Sequence, residues 1–132
     1  MPVYADAEQV KTIYTHLFNT VDSTDPDGMD SLVKAKMVIH FRMTDPQIDM
    51  WVDGRSKPVK ALFVEPGVNT TLIAEMSGDT LHEMLLGTLR LTKALGSKRL
   101  KVSGSMMKAL KLEDLFHTCQ GQYPMIADEM LG

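Results

Sequence analysis

With 44% apolar and 23% charged side chains in 132 residues, the chain has the makeup of one globular domain with a sizeable core, not of a disordered segment. Its formal net charge of −3 gives no overall attraction for nucleic acid, so DNA and RNA are excluded as expected partners. No stretch is apolar for long enough to span a membrane, MPVYADAEQV lacks the basic-then-apolar order of a secretory signal, and the lone Cys119 can form no internal disulfide. A cytoplasmic protein is therefore expected, and Asn69-Thr70-Thr71 is a chance match to a glycosylation sequon.

Asp6-Ala7-Glu8-Gln9 sets an N-cap aspartate three residues before a glutamine and predicts a helix start. Val10, Ile13, Tyr14, Leu17, Phe18 and Val21 then recur at helical spacing, up to the Asp/Pro/Gly-rich loop at 22–28. From residue 36 to 64 the period changes to two. Met37, Ile39, Phe41 and Met43 alternate with Val38, His40 and Arg42, and past Asp45-Pro46 the residues Ile48, Met50 and Val52 alternate with Asp49, Trp51 and Asp53. A turn over 44–47 sets Met43 against Ile48, Phe41 against Met50 and Ile39 against Val52, with Arg42 facing Asp49 and His40 facing Trp51 on the polar side. Trp51 on that side is a candidate surface anchor for a partner or a homodimer.

A third strand is expected over 58–64 and a fourth over 70–76, before Ser77-Gly78-Asp79 caps a helix at about 79–86. Gly87 should end that helix, Gly96 a second short one, and Arg99–Ser103 should form a fifth strand. Ser105 or Ser103 then caps a helix from Met106 to His117 that Gln120-Gly121 and Pro124 terminate, with the tail from Met125 left to dock or fray. No linker divides the chain, so 1–132 is expected to be one domain. Methionine is the compositional outlier, with 11 copies, and suits either an irregular core or an adaptable apolar cavity.

Reactive chemistry finds little support in these residues. His117 and Cys119 stand two apart and, with His40, His82 or an acid, could make a thiol nucleophile or a metal site, but His-x-Cys lacks the paired spacing of zinc ligands. Ser103-Gly104-Ser105 is not a nucleophile elbow, and Gly96-Ser97-Lys98 has no glycine five residues upstream to build a phosphate loop. The basic run Lys93, Lys98, Arg99, Lys101, Lys108 and Lys111 reads as a solvated face, or as a weak site for an anionic headgroup, CoA phosphates or transient contact with a membrane surface.

Gly87-x-Leu89, Lys93-Ala94-Leu95, Lys98-x-Leu100-Lys101-Val102-x-Gly104 and Ala109-x-Lys111-Leu112, in that order and spacing, resemble the signature of the sterol carrier protein type 2 family. The upstream meander and the strand ending at Met76 are similar as well. The resemblance implies an α+β fold: a five-stranded, mostly antiparallel sheet with helices packed on one face, enclosing an apolar tunnel. It implies no catalytic residue, no metal and no cofactor. The ligand it implies is a lipid: a sterol, fatty acid or fatty acyl-CoA. Met84, Leu89, Met106, Met107 and Leu110 would line the tunnel from the helical side, facing Phe41 and Met50 on the sheet. Two roles follow, a freestanding non-catalytic lipid carrier or an accessory or dimerisation module of a larger lipid-metabolising enzyme.

Overall fold

The computed structural model describes residues 2–131. The chain opens with helix α1 (Ala7–Thr24), whose start is fixed as the sequence predicts: the Gln9 N–H donates to Asp6 Oδ1 at 2.9 Å, and the Gln9 side chain accepts from the Ala5 N–H. All six residues of its predicted stripe are buried. A five-residue helix that was not expected, α2 (Asp30–Lys34), follows.

Strands β1 (Val38–Thr44) and β2 (Ile48–Asp53) pair antiparallel in the expected register, Phe41 opposite Met50, Arg42 opposite Asp49 and His40 opposite Trp51. Strand β3 (Lys60–Leu62) is shorter than expected and adds to the far side of β2. Strand β4 (Leu72–Ser77) lies parallel to β1, and β5 (Leu100–Gly104) runs antiparallel to β4. The strand order is β3-β2-β1-β4-β5, so the sheet is five-stranded and mostly antiparallel with one parallel pair at its centre.

Helix α3 (Gly78–Leu86) is capped by Ser77, whose hydroxyl accepts the Thr80 N–H at 3.1 Å. Gly87 ends it in the left-handed conformation, φ 84°, as expected of a glycine past a C-terminus. Helix α4 (Leu91–Gly96) includes Gly96, and the reversal falls instead on Lys98, φ 62°. The single helix expected over 106–117 is two: α5 (Met106–Ala109) and α6 (Lys111–Gln120), breaking at Leu110. Helix α7 (Tyr123–Leu131) corrects the reading of Pro124 as a stop, because Pro124 is the second residue of this helix, where a proline's missing N–H costs no internal hydrogen bond.

One core joins the helices to one face of the sheet. Ile39, Phe41 and Met43 of β1, Met50 and Val52 of β2 and Ala74 and Met76 of β4 pack with the buried stripes of α1, α3, α6 and α7. The opposite face is polar. Arg42 pairs with Glu75 at 3.4 Å, and His40 Nε2 lies 2.9 Å from Asp49 Oδ1. Trp51 falls on this face as the register requires. It stacks on His40 with ring centroids 4.4 Å apart and is only 9% exposed, too covered to act as the surface anchor expected of it.

Candidate functional site

Two recesses meet between the helices and the sheet. The inner one is apolar and contracted, about 10 Å³, and every layer contributes to its wall: Leu17 and Phe18 of α1, Phe41 of β1, Met50 and Val52 of β2, Leu81 and Leu85 of α3, and Leu115, Phe116 and Cys119 of α6. A space that size admits about one water molecule. The outer one is an open cleft of about 640 Å³ between the α3–α4 turn and α6. Met84, Leu89, Leu91 and Phe116 form its apolar part, and Arg90, Glu113, Asp114, His117 and Gln120 its polar part. Phe116 is the one residue that lines both recesses. Its ring lies 6.4 Å, centroid to centroid, from that of Phe41.

The residues expected to line a tunnel therefore separate into three groups. Phe41 and Met50 lie in the inner wall and are 1% and 2% exposed. Met84 and Leu89 border the outer cleft. Met106, Met107 and Leu110 belong to neither: they stand 66%, 86% and 70% exposed on and beside α5. Helical spacing and apolar character cannot say which way a short helix faces, and here Gly104 takes a φ of 115° just before α5, whose buried residue is Ala109. The sequence reading also passed over Leu81, Leu85, Leu115 and Phe116. Their signal was present, since Leu112, Leu115, Phe116 and Cys119 recur at three- and four-residue steps on α6.

The His-x-Cys pair is split between core and surface. Cys119 is fully buried among hydrocarbon, which pushes its thiol up to about 12, while His117 on the same helix is exposed. Such a thiol is almost wholly protonated at neutral pH. Alkylation of Cys119 by a small maleimide should therefore run at least about a hundredfold slower in the native chain than in the urea-unfolded one. Comparable rates in the two states would reopen the nucleophile reading. Among the described residues no group of three or more His, Cys, Asp or Glu is placed to hold a metal.

The polar atoms nearest the site form a cluster of their own. The Tyr4 hydroxyl hydrogen-bonds with those of Tyr14, at 2.5 Å, and Tyr123, and His82 Nδ1 lies 2.7 Å from the Tyr123 hydroxyl. Burial raises all three phenols above their ordinary range and, opposed by Asp79 and Glu83, lowers the His82 imidazole below its own. These contacts tie the N-terminal segment, α1, α3 and α7 together beside the inner recess. Among the described residues no helix is long and apolar enough to cross a membrane.

Solved structures share this architecture. Sterol carrier protein 2 from Yarrowia lipolytica, in its apo form, superposes with a TM-score of 0.65 at 17% identity, covering 86% of this chain and 91% of that one. The sterol carrier protein domain 2 of Helicoverpa armigera gives 0.67 at 17% identity, covering 86% and 90%. The sterol carrier protein-2 of Aedes aegypti, solved in complex with the C16 fatty acid palmitate, gives 0.60 at 18% identity, covering 83% and 96%. Hydroxysteroid dehydrogenase-like protein 2 of Bos taurus is 32% identical over 90 residues, 67% of this chain but 22% of its own length, and the human protein matches to the same extent. The chain thus spans about a fifth of the length of these curated relatives. The profile of the SCP-2 sterol transfer family matches residues 18–117, from within α1 through most of α6, a stretch that holds the signature around Gly104 and the inner-recess residues from Phe18 to Phe116, and the chain belongs to that family.

Proposed function

We propose that the chain is a non-catalytic lipid carrier that takes the hydrocarbon part of a fatty acid, fatty acyl-CoA or sterol between its helices and its sheet. The observation that carries this reading is the inner recess, whose wall is almost entirely hydrocarbon, comes from both layers, and shares Phe116 with the lining of an open cleft. Burial of about 0.8 kcal/mol per methylene gives a long acyl chain on the order of 10 kcal/mol before association costs are subtracted. No charged anchor is required for that. Because the recess holds about 10 Å³, entry of an acyl chain must rotate Phe116 and move α3 and α6 away from β1 and β2. Phe41 and Met50 are then the sheet-side contacts, while Met84 and Leu89 meet the ligand where it leaves the core. A polar head would sit in the outer cleft among Arg90, His117 and Gln120.

A second reading, an accessory module within a larger lipid-metabolising enzyme, draws support from the dehydrogenase-like relatives, in which the matching stretch is only 22% of the chain. Native mass spectrometry of protein purified without detergent decides first whether lipid is bound. A stoichiometric adduct of fatty-acid or sterol mass, displaced by a fluorescent fatty acid, is the expected result. No adduct, together with no binding of the fluorescent fatty acid, ends the carrier reading. Steady co-purification with a dehydrogenase would favour the accessory role.

A further inference from the structure

The tip at α5 has no role in the recesses described above. From Ser103 to Lys108 every residue is exposed, and Met106, Met107 and Leu110 present their side chains to solvent at 66%, 86% and 70% exposure. Three large apolar side chains this exposed, within five consecutive residues, are not the scattered hydrophobes of an ordinary surface. The charge around them is equally uneven. Residues 93–112 hold six of the chain's 14 cations and none of its 17 acids, so this segment carries +6 and the remainder −9. Lys108 lies within the tip and is exposed, Lys101 is exposed on β5 opposite Glu75, and Lys111 is half-buried with its Nζ donating to the Ser31 hydroxyl at 3.2 Å. The nearest acids along the chain, Glu113 and Asp114, lie at the start of α6, and Asp114 accepts a hydrogen bond from Ser31.

We infer that the tip formed by Met106, Met107 and Leu110 docks the protein on an anionic lipid bilayer, the three side chains entering the interface while Lys101 and Lys108 meet the headgroups. An exposed apolar tip within a segment of net charge +6, on a chain otherwise acidic, matches a surface that offers both hydrocarbon and negative charge. A second copy of the chain is the poorer occupant, because a symmetric contact through this tip would set two +6 segments against each other. The inference deepens the carrier reading and relies on it for its purpose, since a carrier must exchange cargo with a membrane.

Vesicle co-sedimentation tests it without cargo, using vesicles of phosphatidylcholine alone and of phosphatidylcholine and phosphatidylserine in equal parts. The parent chain should partition onto the anionic vesicles at low salt and release as salt is raised. The combined Met106→Ser, Met107→Ser, Leu110→Ser variant should lose about tenfold or more in partitioning, and Lys101→Glu with Lys108→Glu a similar factor. Both variants should bind a fluorescent fatty acid in solution as the parent does, which also shows that they fold. Three results overturn the inference: a parent that ignores anionic vesicles, a triple-serine variant that partitions like the parent, or a parent dimer that the triple-serine change splits. Loss of fatty-acid binding by the parent with vesicle binding intact would instead remove the carrier reading and leave the docking surface standing.

Discussion

Phe41→Ala lowers the stability of the ligand-free chain by about 3–5 kcal/mol, and a bound fatty acid is expected to narrow that deficit by about 1 kcal/mol. Phe41 is central in β1, opposite Met50, 1% exposed, and it forms the floor of the inner recess against Phe116. Removing its ring opens a cavity that the sheet cannot collapse to fill, because β2 and β4 hold β1 from both sides. In a chain with no ligand to offer, the cost would be the same under all conditions. In a lipid carrier the acyl chain fills the space, and because excess ligand stabilises parent and variant alike, the deficit narrows by the difference in affinity, about 1 kcal/mol for a fivefold gain. The opened recess also spares the ligand part of the work of separating α3 and α6 from the sheet, so affinity should rise several-fold. Thermal melts of parent and variant with and without palmitate measure both effects. An equal stability deficit in the two conditions, with no gain in affinity, would mean that the acyl chain does not lie on Phe41.

The second large effect is at Gly104, where Gly104→Val should cost about 3 kcal/mol or more. Its φ of 115° is a conformation that a β-branched residue essentially never adopts. Independently of that angle, a Cβ built there would lie 2.5 Å from the Thr71 carbonyl oxygen and 3.2 Å from the Leu72 Cα, both main-chain atoms of or beside β4. Relief requires β5 to draw away from β4 at the point where the chain swings out to α5. Gly67 separates the two causes, since it also has positive φ, 71°, but nothing lies within 4 Å of its missing side chain. Gly67→Val should therefore show the conformational cost alone and lose less in a urea titration. If both valine variants lost the same amount, the close approach to Thr71 would have no energetic weight.

The β1–β2 hairpin was legible to the residue because its alternation is strict and one face is apolar, so a slip of one position would expose every core side chain. The parallel pairing of β1 with β4 was not, because no turn connects those strands and either apolar face satisfies the same alternation. Helix α2 spans five residues, too few for a 3.6-residue period to show itself, and α7 was hidden by a proline that reads as a stop unless its place in the first turn is known. The family signature named residues on both layers, of which Phe41 and Met50 line the inner recess and Met84 and Leu89 the outer cleft. It could not orient α5, since an apolar side chain facing solvent and one facing a core are the same letter in a sequence. Phe41 and Met50 were reached through strand register, which is local. Phe116 was not reached, because its place between two recesses depends on how α6 crosses β1, a contact across more than seventy positions of chain that leaves no local trace.

The tyrosine cluster gives the molecule a built-in optical reporter. Tyr4, Tyr14 and Tyr123 are the chain's three tyrosines, and all three hydroxyls share one buried network. A phenol in free solution ionises near 10, with the ultraviolet absorbance change of the phenolate. Burial raises each of the three, so the folded chain holds them neutral, and the stability this confers is whole below about pH 10 and is lost as pH climbs through the raised native values. Phenolate absorbance in this protein is thus a signal of opening at one place, the junction of both chain ends with α1 and α3, and it should arrive in one cooperative step with loss of the fold instead of as three separate titrations.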